Sequence, residues 1–184
     1  VLEVELAVAE RQARRAEETG DECDKCFADA MALGAQGNNH AAAKAWRKLI
    51  QMRPDEPGAY YNLAAVLNRS SRNAEAAQMY LKAMELYEDG TEGWAEAAAL
   101  AFNLLKTDDC REEPKPEWWN DEALKALSAR VVAAAPDDPA SCGMRARVLS
   151  GAALSENSPW GAKQHSSAEI KEAATWYRRA ATLS

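Results

Sequence analysis

The residues best suited to chemistry are Cys23 and Cys26, which form a Cys-x-x-Cys motif near the start of the chain. Such a pair can bind zinc or exchange with a disulfide. However, a zinc site needs four Cys or His ligands at paired spacing, and the redox motif belongs at a helix start that follows a strand. No strand pattern precedes this motif. The other candidate ligands stand singly along the chain: His40, Cys110, Cys142 and His165. The motif therefore predicts structural thiols and no bound metal.

Patterns typical of catalysis are missing from the rest of the sequence. It contains neither a nucleophile elbow nor a glycine-rich phosphate loop. His40 lies at the expected start of a helix, where a solvated turn residue is the ordinary interpretation. Glu112 and Glu113 belong to an acidic loop and should be hydrated. We expect a protein that is not an enzyme and needs no cofactor. A metal- or thiol-dependent enzyme stays open as a third alternative.

Composition limits both the fold class and the kind of partner. Alanine accounts for 40 of the 184 residues, and it favours helix over strand. The net charge of −7 argues against nucleic-acid and anionic-lipid partners, because both require a concentrated basic surface. No apolar run is long enough to cross a bilayer. The N-terminal residues lack the apolar core of a secretory signal, and four cysteines form no disulfide framework. We therefore expect an intracellular, cytoplasmic protein without membrane insertion.

The chain repeats with a period of 34 residues. Successive units open at Cys23, Pro57 and Thr91, so that small and large residues recur at the same offsets. The small residues of the first two units are Ala30, Ala42, Ala64 and Ala76, and the large residues include Leu33, Trp46, Leu49, Leu67 and Tyr80. One such unit cannot bury its apolar face alone, so successive units must stack.

This pattern resembles the tetratricopeptide repeat family, in which each unit is a pair of antiparallel helices, A and B. The resemblance is strongest over 23–90 and continues over 91–184. The matching residues of that second half are Ala98, Ala123, Leu127, Ala146, Ala173 and Tyr177. This sequence departs from the family at Asp29, where the next unit has Leu63, and at Glu88, which replaces a closing proline. The third and fourth units also carry insertions between their helices.

The resemblance implies an all-α superhelix of about four helix pairs, preceded by an N-terminal helix. The pairs are expected at 23–36 and 40–52, 57–69 and 73–87, 91–106 and 117–134, and 139–153 and 167–183, in repeats near 23–56, 57–90, 91–138 and 139–184. Residues 1–22 would form either a capping helix or the remnant of a repeat. The insertion at 106–116 should be solvated, because it is acidic and contains prolines. In the insertion at 152–165, Trp160 should fold back on a helix, with an exposed contact role as the alternative.

Partners of tetratricopeptide proteins bind the concave face, which the A helices build. The resemblance implies that this groove is lined here by Phe27, Met31, Tyr61, Asn62, Asn68, Glu92, Glu96, Ala99 and Phe102. Members that bind the acidic tails of chaperones carry a clamp of Lys, Arg and Asn residues, of which Asn62 alone is present. At the positions of the clamp's last two basic residues, in the third A helix, this chain has Glu92 and Glu96, which carry the opposite charge. Chaperone tails are therefore not the expected partner.

The predicted function is therefore that of an adaptor or scaffold. Its groove would bind a protein or peptide segment that carries apolar and basic side chains. The alternative is a structural subunit that is held permanently in a larger multiprotein assembly.

Overall fold

Helices account for all the regular structure that is described. The computed structural model describes residues 7–151, except 9, 12, 16, 17 and 19, and residues 165–184. Its helices are α1 (Glu22–Ala35), α2 (Asn39–Met52), α3 (Pro57–Arg69), α4 (Asn73–Leu86), α5 (Glu92–Leu105), α6 (Asp121–Ala134), α7 (Pro139–Leu149) and α8 (Ser167–Leu183), with a 3-10 turn at Asp108–Cys110. These residues include no strand, which confirms the all-α fold. None of the described helices is long and apolar enough to cross a membrane.

The predicted N-terminal helix is described in part. Residues 7, 8, 10, 11, 13–15 and 18 are helical, and Arg15 forms an ion pair of 3.1 Å with Asp24 of α1. Residues 1–6 lie outside the described residues, as do Trp160 and the rest of 152–164. The predictions for those segments stay predictions.

The chain divides into two compact units, Val1–Leu86 and Tyr87–Ser184, called unit 1 and unit 2 below. Unit 1 contains two helical hairpins, α1–α2 and α3–α4, and α2 also packs against α3. Each hairpin turns within a few residues, which makes its helices antiparallel. In unit 2, α5 packs against both α6 and α7, while α8 packs against α7.

Alanine side chains allow the helices of unit 1 to approach closely. The alanines at the predicted small positions have no exposed surface: Ala30, Ala42, Ala64 and Ala76. Trp46 and Tyr80, at the predicted large positions, are 1% and 3% exposed. The burial pattern of unit 1 therefore follows the 34-residue period found in the sequence.

Arg145 holds the helices of unit 2 together from its place on α7. Its Nη1 donates to the carbonyl oxygen of Lys125 on α6 at 2.9 Å, and its Nη2 donates to Glu172 of α8 at 3.0 Å. These are charge-assisted bonds from one half-buried guanidinium to two neighbouring helices. They position α7 between α6 and α8.

Most residues of the insertion at 106–116 are exposed, which agrees with the prediction that it is solvated, but the segment is anchored to α5. Within it, Cys110 has no exposed surface, and Trp119, just beyond the predicted loop, is 7% exposed. The segment 106–120 folds back toward α5 because Trp119 finds an aromatic partner there, Phe102, at 5.4 Å between ring centroids. As a result α6 begins at Asp121, later than predicted.

Replacing Ala64 with Leu tests the close helix packing. Ala64 has no exposed surface, so the added atoms would overpack a tight contact, and Ala64→Leu should lower the free energy of unfolding by about 1–3 kcal/mol. Urea titration followed by circular dichroism measures this loss. The control is Ala126→Leu at an exposed position of α6, which should change stability little. Equal midpoints for the two variants would contradict the packing.

The attachment of α8 should depend on pH through Glu169. Hydrogen bonds from Lys125 and Ser166 lower the pKa of Glu169 from 4.5 to about 2. A carboxyl whose pKa is lower in the folded chain stabilises it above its ordinary pKa, and this contribution is lost as the pH falls toward 2. Glu169→Gln should therefore destabilise the protein at pH 7, and its difference from the wild type should shrink between about pH 5 and pH 2.

Urea midpoints measured across that pH range provide the comparison. Glu112→Gln, at an exposed loop position outside the helices, serves as the control and should differ little from the wild type throughout. A difference for Glu169→Gln that stays constant down to pH 2 would mean that Glu169 acts through its shape alone.

Candidate functional site

A cavity of about 160 Å³ opens in unit 1 where α1, α2 and α3 meet. We call it the unit-1 groove. Its lining includes Met31 and Gly34 of α1, Trp46 of α2, and Tyr61, Asn62, Ala65 and Arg69 of α3. The lining combines apolar side chains with one amide and one guanidinium, so it offers both apolar contact and hydrogen bonding.

The structure brings together three of the residues that the sequence predicted for a partner groove. Met31, Tyr61 and Asn62 all line the unit-1 groove and are half-buried. Phe27 lies beside it, with its ring edge-on to Trp46 at 4.9 Å between centroids. Asn68 is exposed and outside the lining. These positions follow from the register of α1 and α3, since residues one turn apart share a face.

The aromatic and polar groups of the groove are held in place by neighbouring side chains and backbone. Tyr61 packs edge-on against Tyr80 at 5.4 Å between centroids, and the Asn62 amide nitrogen donates to the carbonyl oxygen of Gly58 at 2.8 Å. A Cβ atom at Gly34 would lie 3.5 Å from the Arg69 guanidinium and 3.8 Å from Val66. The absence of a side chain at Gly34 therefore keeps the groove open beside Arg69.

Sequence reasoning did not assign Trp46 to the groove. The repeat register places Trp46 at a packing position, and it does pack, with 1% of its surface exposed. Its ring nevertheless forms part of the cavity wall. A periodic pattern assigns each position either to the core or to the groove. A large aromatic side chain such as Trp46 can nevertheless be buried in the core and line the groove at the same time.

In unit 2 the predicted groove residues Ala99 and Phe102 are buried, which corrects their assignment as contact residues. Both have no exposed surface. Trp119 of the insertion packs on Phe102, and the Lys106 ammonium lies 5.8 Å from the centroid of the Phe102 ring. The chain's own insertion thus contacts Phe102, the residue at the C-terminal end of the α5 face that a partner was predicted to contact.

Lys115 anchors this insertion to the end of α5. Its ammonium donates to the carbonyl oxygens of Leu105 at 2.9 Å and Cys110 at 2.5 Å, and it lies 5.6 Å from the centroid of the Trp119 ring. Burial lowers the pKa of Lys115. Because the last carbonyl groups of a helix lack partners within the helix, Lys115 satisfies one of them while it holds the insertion in place.

The acidic residues predicted for the groove lie on the first half of α5. Glu92 is exposed in the first turn, and Glu96 is half-buried. A spacing of four residues places the two side chains on one face of the helix. A groove that combines them with the residues of unit 1 stays a prediction.

The cysteines are free thiols. Cys26 donates from Sγ to the carbonyl oxygen of Ala45 at 3.4 Å, and burial raises its pKa. Within the described ranges, no group of three or more Cys, His, Asp or Glu residues could hold a metal ion. Cys26 thus has a packing role, as the motif's position on α1 predicted.

No protein-family model matches the chain, and no curated protein matches it. Its resemblance to tetratricopeptide repeats therefore stays a prediction from the spacing of its own residues.

Phe102→Ala should be among the more destabilising substitutions in unit 2. Phe102 has no exposed surface and packs on Trp119, so its truncation would leave a cavity and cost about 3–5 kcal/mol of unfolding free energy. Phe27→Ala is the natural comparison, because Phe27 is half-buried and should cost less. Urea titration measures both. A stable Phe102→Ala variant would show that the insertion does not depend on this contact.

Proposed function

We propose that this chain is a non-enzymatic adaptor of the tetratricopeptide type that binds a protein or peptide segment in the unit-1 groove. The observation that carries the proposal is the cavity itself, which brings Met31, Tyr61 and Asn62 together beside Gly34. The free thiols support a reducing compartment, and we include a cytoplasmic location in the proposal.

The groove suits one apolar side chain of a partner. A volume on the order of 150 Å³ accommodates a group of the size of benzene, and the unit-1 groove, which is open and partly polar, has about 160 Å³. Tyr61 and Met31 would contact this side chain. Half-buried aromatic residues in a partly enclosed site are the usual energetic anchors of a protein interface.

Polar groups at the groove would orient the partner's backbone. The Asn62 nitrogen already donates to Gly58, so the amide oxygen of Asn62 is the group that can accept from a partner N–H. The net charge of −7 would attract the basic side chains predicted for the partner, which mainly affects the rate and specificity of association.

A randomised peptide library displayed on phage, selected against the intact chain, supplies binding peptides for the test. Their affinities are then measured by fluorescence anisotropy for the wild type and the variants. Tyr61→Ala should weaken binding by about 1–3 kcal/mol. Tyr60→Ala is the matched control, because Tyr60 lies next along α3, outside the groove lining, with its hydroxyl donating to the carbonyl oxygen of Pro54.

Gly34→Ala separates binding from stability. The new Cβ would make ordinary contacts at 3.5 Å and 3.8 Å, and alanine favours helix more than glycine does. This variant should therefore fold at least as well as the wild type while it narrows the groove and weakens peptide binding. If Gly34→Ala and Tyr61→Ala both bind the selected peptides normally while folded, the partner uses another surface and the proposal fails.

A further inference from the structure

The side chain of Lys115 joins both buried residues of the segment 106–120 to the end of α5. We call this segment the strap. Of its residues, only Cys110 and Trp119 are buried. The Lys115 ammonium donates to the carbonyl oxygen of Leu105, the last residue of α5, and to that of Cys110. The same ammonium lies 5.6 Å from the centroid of the Trp119 ring, so one charged group contacts all three.

The strap packs on the aromatic ring of Phe102. The rings of Trp119 and Phe102 lie 5.4 Å apart between centroids, and Phe102 has no exposed surface. The repeat register places Phe102 on the face of α5 that was predicted to contact a partner. A strap that moved away from α5 would take Trp119 from this ring, so its position affects what α5 presents to solvent.

The environment of Lys115 differs from that of the lysines that pair with carboxylates. Lys48, Lys82 and Lys125 form such ion pairs, and the hydrogen bonds to their carboxylate partners raise their pKa. Burial lowers the pKa of Lys115, despite the nearby carboxylate of Glu113. A larger fraction of its amine is therefore neutral, and the neutral amine is the nucleophilic form of a lysine.

The two carbonyl contacts of Lys115 require an ammonium group. An ammonium has three donors, whereas an acylated amine keeps a single N–H and loses its charge. Acylation would therefore leave Leu105 or Cys110 without its bond and remove the attraction to the Trp119 ring. The added acyl group would also need space between these residues. Both effects would push the strap away from α5.

We propose that Lys115 is a modification site, at which acylation of the side-chain amine releases the strap from α5 and uncovers Phe102. The acyl donor is a thioester of the acyl-coenzyme A class. The neutral amine attacks the carbonyl carbon of the thioester, the Nζ–C bond forms as the C–S bond breaks, and the thiol leaves with the proton of the amine. This inference does not depend on the unit-1 groove.

The acyl donor can reach Lys115 through local opening of the strap. Lys115 is half-buried, and Glu112, Pro114 and Glu117 around it are exposed. Segments with few buried side chains open at a lower free energy than the whole domain does. The amine therefore becomes accessible while the helices of unit 2 stay folded.

Incubation of the intact chain with acetyl-coenzyme A tests whether the amine reacts. Peptide mass spectrometry at successive times measures the acetylated fraction of each lysine. Lys115 should be acetylated at least as fast as Lys171, which is exposed on α8 and serves as the reference. Acetylation of Lys171 with no acetylation of Lys115 would overturn the proposal.

Hydrogen–deuterium exchange tests whether acylation releases the strap. A chain with acetyl-lysine placed at position 115 through an amber codon should exchange the amides of 106–120 about tenfold faster than the wild type, with α5 and α6 unchanged. The same residue at position 171 is the matched control and should exchange like the wild type. Unchanged exchange in the strap would overturn the proposal, and so would an equal increase in α5, because the whole unit would then have loosened.

Two substitutions separate the charge of Lys115 from its size. Lys115→Gln removes the ammonium and should exchange as fast as the acetylated chain, while Lys115→Arg keeps a charged donor and should stay near the wild type. Binding of the dye anilinonaphthalene sulfonate, which fluoresces at exposed apolar surface, should rise for Lys115→Gln alone as Phe102 is uncovered. Equal exchange and dye binding for the two variants would contradict a role for the charge.

Discussion

The close approach of helices through alanine is the constraint on which the structure of unit 1 depends. Ala30, Ala42, Ala64 and Ala76 have no exposed surface, so the helix axes come together with no space for a larger side chain. The large residues at the other repeat positions must then fill the remaining volume. The unit-1 groove is a by-product of this packing, because it lies where three helices meet and Gly34 contributes no side chain.

The helices and the packing of unit 1 could be predicted because both depend on residue type and period. The structure of the 106–120 segment could not. Trp119 of this segment contacts Phe102 of α5, and no repeat period relates these two residues. Lys115 looks in the sequence like one more solvated charge, since lysine is rarely buried, yet it is half-buried and its ammonium bonds two carbonyl groups beside the Trp119 ring.

The difference between periodic and non-periodic contacts also explains which residues of the candidate site were predicted correctly. Helical register was enough to place Met31, Tyr61 and Asn62 on one surface. It also placed Ala99 and Phe102 correctly on a single face of α5, but register cannot indicate whether a face stays open. That depends on what else packs there, and in unit 2 the chain itself does.

The insertion that packs on Phe102 also bears on what α5 presents to solvent. It enters at the turn between α5 and α6, and α5 still packs against both α6 and α7. A change in this one connection can therefore alter which side chains of α5 meet solvent while α5 keeps its packing against both neighbouring helices. What a helix presents to solvent is thus set partly by a connection outside the helix itself.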